Sequence, residues 1–330
     1  MKKYKICIVG ATGLVGRTIL DILHERDFPI ADLKLLASKN SQGKKLSYKD
    51  KEYLVEELDE NSFSGYDLAL FSAGGDISKK FAPIARDEGL IVIDNSSQWR
   101  EDENIGLVVP EINLDDAKIN PLIANPNCST IQSVLPLAIL DKTYGLKQVN
   151  YTTFQAVSGS GQKGYDDLVN TRQGKKSSFY PHNISETAIP EIDVFLDNGY
   201  TKEEMKMINE TRKILHHENL PVSATCVRVP VLNGHGVSIQ VSLDKKFNLA
   251  DIKEVLAKQE GIVVLDNNEN HEYPVSTIAN GKNDVYVGRI RRDLSLENSL
   301  LLYCVADNIR KGAALNAVQI AEGLIKKGVI

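Results

Sequence analysis

Seven residues near the N-terminus, Gly10-Ala11-Thr12-Gly13-Leu14-Val15-Gly16, constrain the fold more than any other stretch. They follow a short apolar run, Lys5 to Val9, and open a segment, Leu14 to His24, with helical apolar spacing. A glycine turn between strand and helix lets the backbone approach a pyrophosphate and rest it on helix N-terminal amides. The spacing is G-x-x-G-x-x-G rather than G-x-G-x-x-G. Context more than spacing therefore favours nucleotide binding over a plain tight turn. Gly10, Thr12, Gly13, Leu14 and Val15 are the candidate contacts. Further short apolar runs at Leu33 to Ala37, Leu68 to Phe71 and Leu90 to Ile93 read as buried parallel strands, with a helix over Ile77 to Glu88 between two of them. A βαβ series of this kind predicts a doubly wound, Rossmann-type parallel sheet.

From about Gln148 the pattern changes to longer strands rich in Val, Thr and Tyr. They run over Val149 to Val157, Ala224 to Val231, Val237 to Leu243, Val285 to Arg292 and Leu300 to Ala306. This half reads as an α+β domain with a mostly antiparallel or mixed sheet. A chain of 330 residues is long enough for two such domains. The last helix, Ala313 to Lys327, is apolar at Leu315, Val318, Ala321 and Leu324 and is expected to pack back on the first domain. The expected division is 1–127 with 308–330 for the nucleotide domain, and 128–307 for the second. The polar stretch Gly174 to Ser178 reads as an exposed loop.

Composition narrows the function. The net charge is −5 with no long basic run, which argues against a nucleic-acid or membrane-surface binder. No stretch approaches a membrane span, and the apolar run before Gly10 is too short for a signal peptide. Cys7, Cys128, Cys226 and Cys304 are scattered without metal-ligand spacing. Three lie in strand-like runs, as suits reduced core thiols in a cytoplasmic protein. Cys128 is the exception. It follows Asn125-Pro126-Asn127 and precedes a segment with helical spacing, which puts it at a helix N-terminus, where the macrodipole favours a thiolate.

At the end of the second strand an NAD site usually carries an acid for the ribose hydroxyl. Here the residues are Ala37-Ser38-Lys39-Asn40-Ser41-Gln42-Gly43-Lys44, without a carboxylate. Hydroxyls and lysines suit a 2′-phosphate, so Ser38, Lys39 and Ser41 point to NADP. A solvated polar loop is the alternative reading.

These motifs together resemble the aspartate-semialdehyde dehydrogenase family over essentially the whole chain. The resemblance rests on GATGLVG, NSSQWR at 95–100, NPNCST at 125–130, QAVSGSGQKG at 155–164, ETRK at 210–213, RVPVLNGHG at 228–236 and DNIRKGAALNAVQIAE at 307–322. It implies reversible, NADPH-dependent reduction of 4-aspartyl phosphate to L-aspartate 4-semialdehyde and phosphate. That step serves biosynthesis of lysine and diaminopimelate, threonine, methionine and isoleucine. By the same resemblance Cys128 forms a thioester, His235 is a general acid/base and Gln155 orients the acyl group. Arg228 would hold the substrate carboxylate and Glu210 its ammonium. Arg100 and Lys213, with Asn127 nearby, would bind phosphate. Ser158, Gly159 and Asn308 match cofactor-contacting positions. A homodimer, or a tetramer, is expected through the second domain.

Two positions depart from the family's pattern. Gly236 follows His235 where a small hydroxyl residue is common, and Asn183 to Pro190 lacks an Asn directly before Ile-Pro. Other readings are an N-acetyl-glutamyl-phosphate reductase-like or glyceraldehyde-3-phosphate dehydrogenase-like enzyme, a non-catalytic NADP-binding protein, and a cysteine hydrolase. The two related enzymes usually flank the cysteine differently, and a hydrolase leaves the nucleotide signature without a purpose.

Overall fold

The computed structural model describes residues 2–330. The chain divides into two compact units, one made of the residues up to Pro126 together with Ala313–Ile330, the other of Asn127–Gly312.

The first unit holds seven strands: β1 (Tyr4–Val9), β2 (Ile30–Ala37), β3 (Lys45–Tyr48), β4 (Lys51–Glu57), β5 (Leu68–Phe71), β6 (Ile91–Asp94) and β7 (Leu122–Ala124). Their order is β3-β4-β2-β1-β5-β6-β7, parallel throughout except for the β3–β4 hairpin. The sequence order reverses between β1 and β5, and a doubly wound sheet binds ligands beyond the carboxyl ends of its strands at such a point. The Gly10 turn leaves β1 at that place. Both faces of β5 are buried, which is why Leu68 to Phe71 is apolar without alternation. Helix Leu14–Glu25 and the closing helix Leu315–Lys326 pack on the sheet through Ile19, Leu23, Leu315, Val318 and Leu324, in one core with Ile6, Ile8 and Leu35. The β3–β4 hairpin was not anticipated. Its residues are largely exposed and mix charged with apolar side chains, as in the Lys45–Glu52 ion pair, and so lack a long apolar run.

The second unit contains β8 (Leu146–Gln155), β9 (Val222–Arg228), β10 (His235–Leu243), β11 (Ile262–Val264), β12 (Val285–Arg292) and β13 (Ser299–Ala306). They form a mixed sheet in the order β11-β12-β13-β10-β8-β9, with β8–β9 and β11–β12 parallel. Helices Cys128–Tyr144 and Lys202–Ile214 belong to this unit, the second opened by a capping box between Thr201 and Glu204. Two strands end earlier than their apolar runs. β9 stops at Arg228 because Pro230 cannot donate to a ladder, and β8 stops at Gln155 before the 3-10 turn Val157–Ser160. Those early ends place Gln155 beside Arg228 in register, with His235 opening β10 on the other side of β8. Among the described residues no helix is long and apolar enough to cross a membrane.

Candidate active site

In the first unit, Gly10 has φ +85, and a Cβ there would stand 2.9 Å from the Ser72 carbonyl carbon and oxygen. Both the backbone conformation and the close approach exclude a side chain. Gly16 likewise lets the helix lie against the Gly10 carbonyl. Helix Leu14–Glu25 starts at Gly13 with no side-chain cap and no acid in its first turn. The leading N–H groups of a helix lack intrahelical partners, and an uncapped start without an acid leaves them to an anion. Beyond β2, Ser38 and Lys39 are exposed, while the Ser41 hydroxyl accepts from Thr12 Oγ1 at 3.4 Å and Lys44 Nζ at 3.3 Å. This set of hydroxyl and ammonium groups fits a dinucleotide bearing a 2′-phosphate.

Arg100 also lies in this unit. It is 8% exposed, and its Nη2 donates to the Asn95 carbonyl at 2.8 Å. The turn that carries it is organised by Asp94, which accepts from the hydroxyls of Ser78 (2.8 Å) and Ser96 (2.5 Å). Burial pushes the Asp94 carboxyl up, against those hydrogen bonds and the Arg100 charge. The Asn95, Asn125 and Asn316 side chains form a chain of hydrogen bonds that ties the ends of β6 and β7 to the closing helix.

In the second unit, Cys128 is the first residue of helix Cys128–Tyr144. Asn127 caps that helix, its Oδ1 accepting from the Ser129 and Thr130 amides at 2.9 and 3.2 Å. The Asn127 backbone N–H donates to Glu210 Oε2 at 2.6 Å, and its Nδ2 donates to Glu203 Oε1 at 2.8 Å. Glu210 is therefore a buried partner of the loop before the nucleophile, and Lys213, on the same helix, is half-buried. Gln155 Nε2 reaches the same Glu203 Oε1 at 3.2 Å. Gly312 explains part of the C-terminal motif, since a Cβ there would lie 2.9 Å from Cys128 Cβ.

Ala156 connects the remaining groups. Its carbonyl accepts from Arg228 Nη1 at 2.7 Å, and its N–H donates to His235 Nδ1 at 3.0 Å. Because Nδ1 is an acceptor, the neutral ring carries its proton on Nε2, assigned from this hydrogen bond. Burial, then the Arg228 charge, holds the His235 pKa well below 6.5, so the ring is neutral. Its Nε2 is buried and has no hydrogen-bond partner among the described residues. Gly159 is exposed, and a Cβ there would be 3.0 Å from both His235 Nε2 and Arg228 Nη1. The absence of that side chain leaves a notch where an incoming molecule meets both donors. Ser158 and Asn308 hydrogen-bond each other at 3.0 Å, and Asn308 Oδ1 accepts the Gly234 N–H at 2.8 Å, fixing the loop before His235. Beside His235, the space a Cβ at Gly236 would need is filled by the Tyr303 hydroxyl.

Cys128, Asn127, Gln155, Glu210, Lys213, Arg228, His235, Ser158, Gly159 and Asn308 thus belong to the second unit. Arg100 and the Gly10 and Ser38 groups belong to the first. The sequence reading missed Glu203, Ala156, Gly312 and Asp94. Glu203 looks like an ordinary first-turn acid with a Lys at i+3, and Ala156 acts only through its backbone.

Comparison with known proteins identifies the family. Residues 5–119 match the family model "Semialdehyde dehydrogenase, NAD binding domain", and residues 137–311 match "Semialdehyde dehydrogenase, dimerisation domain". The chain is 52% identical to an aspartate-semialdehyde dehydrogenase of Aquifex aeolicus, covering 99% of each protein. It is 46% identical to one of Bacillus subtilis, covering 98% of each. The crystal structure of aspartate semialdehyde dehydrogenase II from Vibrio cholerae complexed with ASA superposes with a TM-score of 0.95. The two are 42% identical, over 99% of both chains.

Proposed function

This chain belongs to the aspartate-semialdehyde dehydrogenase family, and we propose that it reversibly reduces 4-aspartyl phosphate to L-aspartate 4-semialdehyde and phosphate with NADPH. The observation that carries this reading is the notch at Gly159, faced by the orphaned His235 Nε2 and Arg228, in the unit that holds Cys128 on a capped helix start.

The Cys128 thiolate attacks the β-acyl carbon. A C–S bond forms and the C–O bond to phosphate breaks, leaving a thioester and inorganic phosphate, which takes up one proton from solvent. Gly10, Thr12, Gly13, Leu14 and Val15 would hold the NADPH pyrophosphate and Ser38, Lys39 and Ser41 its 2′-phosphate, and the bound cofactor supplies the hydride. The oxygen that gains charge as the thioester is reduced accepts a hydrogen bond from His235 Nε2–H. Collapse of that adduct breaks the C–S bond, frees the aldehyde and returns the thiolate, so no net proton has to pass through the ring. His235 therefore serves as a fixed donor, a narrower role than the general acid/base the resemblance implies. Arg228 forks the substrate carboxylate. Glu210 takes the ammonium, and Arg100, Lys213 and Asn127 serve phosphate.

We infer that the enzyme works in the cytoplasm as a homodimer, in the route to lysine, diaminopimelate, threonine, methionine and isoleucine. The dimerisation-domain match supports pairing. So does the half-buried or exposed sheet face of Asn150, Thr152, Phe154, Ser238, Gln240 and Tyr303. The test is NADP reduction with L-aspartate 4-semialdehyde, with and without phosphate, beside N-acetyl-glutamate semialdehyde. Reduction only with the aspartyl aldehyde and phosphate is expected. Reduction only with the acetylated aldehyde would move the assignment to the rival reductase.

A further inference from the structure

We propose that Glu203 is a positioning residue that sets which way the Asn127 and Gln155 amides point, with Lys206 keeping its carboxylate charged; this rests on the functional reading above. Glu203 is 5% exposed on helix Lys202–Ile214. One oxygen, Oε1, collects two amide donors from different parts of the unit, Asn127 Nδ2 at 2.8 Å and Gln155 Nε2 at 3.2 Å. The other, Oε2, meets Lys206 Nζ at 3.1 Å, and Lys206 is shared with Asp193 Oδ2 at 2.8 Å.

A carboxylate only accepts, and that is what makes it an orienting group here. An amide turned through 180° would aim its oxygen at Glu203. For Asn127 the flip would also point its NH2 at the Ser129 and Thr130 N–H groups, so the cap beside Cys128 exists in one orientation only. Gln155 Nε2 also donates to Thr153 Oγ1 at 3.3 Å, so both of its N–H bonds are engaged. Its Oε1 is then the only polar atom left for the reacting molecule, and Gln155 meets the substrate as an acceptor. A neutral side chain at 203, able to donate as well as accept, would let the Gln155 amide turn and would loosen the hold on Asn127 Nδ2, whose oxygen the Ser129 and Thr130 amides still fix.

The arrangement depends on charge. Burial pushes the Glu203 carboxyl up. The Lys206 ammonium and the hydrogen bonds from Asn127, Gln155 and Lys206 outweigh that and hold it below the usual carboxylate range. The other titratable groups facing this region are Asp193 through Lys206, Cys226 on β9, Cys128, Glu204, and Glu210 on the Asn127 N–H. Only Lys206 among them brings positive charge to Glu203. Without it burial dominates, and Glu203 protonates at a higher pH.

The experiment compares the full-length wild type with Glu203→Gln and Lys206→Met in steady-state NADP reduction from pH 6 to 9.5, with NADPH binding followed by fluorescence. Glu203→Gln is expected to lower kcat about 100-fold, with the substrate KM within about threefold and NADPH affinity unchanged. In Lys206→Met, kcat should fall with decreasing pH through an apparent pKa absent from the wild type, and recover as pH rises. Wild-type kcat in Glu203→Gln, or a Lys206→Met profile that superimposes on the wild type, overturns the proposal. Should Glu203→Gln fail to fold, the Lys206→Met profile decides alone. A wild type silent with aspartate semialdehyde sinks the functional reading itself, whereas an active wild type with indifferent variants sinks only the role of Glu203.

Discussion

The Gly10 turn of the first unit and the Gln155–His235 end of the second are both built where strands stop, but by opposite means. At Gly10 and Gly16 the structure works by omission, since any side chain would strike the Ser72 or Gly10 backbone. The groups left to meet a ligand there are main-chain amides and a few exposed polar tips. At the ends of β8 and β9 and the start of β10 the polar groups are buried side chains tied in series. Asn127 and Gln155 meet on Glu203, and Arg228 and His235 meet on Ala156. The first design tolerates change wherever the backbone can still pass. The second makes each member's orientation depend on its neighbour, as buried polar networks do.

Predictions follow this contrast in order of size. Cys128→Ser should lower turnover by about 10⁴-fold or more, as removing a covalent nucleophile does, with NADPH affinity unchanged by fluorescence titration. A parallel loss of NADPH binding would show that the two designs are not separable. His235→Asn should lower kcat by about 10² to 10³-fold, the range for losing one oxyanion donor. Because the folded His235 stays neutral well below 6.5, the wild-type profile should show no histidine limb between pH 6 and 8. The sign for stability follows from the same shift. The unfolded ring binds a proton near 6.5 and the folded ring does not, so this contribution is intact above 6.5 and declines as pH falls below it. Thermal melts from pH 5 to 8 should lose part of that slope in His235→Asn.

Gly10→Ala should cost about 1–3 kcal/mol through its left-handed backbone, with more from the contact with Ser72, and should weaken NADPH binding. The rate at which iodoacetamide alkylates Cys128 should stay at the wild-type value. A change in that rate would mean that the cradle acts on the nucleophile as well as on the cofactor. The smallest effect is expected at Lys39→Ala, about two- to fivefold in KM for NADPH through loss of one exposed phosphate contact, with KM for NADH unmoved. Equal losses for both cofactors would remove Lys39 from the 2′-phosphate site.

What the sequence discloses follows the same contrast. The cradle is legible because its requirements are local. A glycine turn between a strand and a helix, and a polar stretch without acids, are patterns within a dozen neighbouring positions. Cys128 is legible for the same reason, through Pro-Asn before it and helical spacing after it. Glu203 is not. It sits 76 positions from Asn127 and 48 from Gln155, and its meaning depends on a fold that brings three segments together. Ala156 leaves no trace because its amide and carbonyl, rather than its methyl, fix Arg228 and His235. The β3–β4 hairpin escaped notice since an edge strand keeps charges outward, which hides its periodicity.

Tyr303 and Gly236 share one space in the second unit. The tyrosine hydroxyl, the far end of a half-buried side chain, stands where a Cβ at 236 would go. Gly236→Ser therefore asks the Tyr303 ring to swing aside, and a shorter residue at 303 would remove that demand. The fit beside the histidine is thus held by a group that can move rather than by the backbone, the reverse of the arrangement at Gly10.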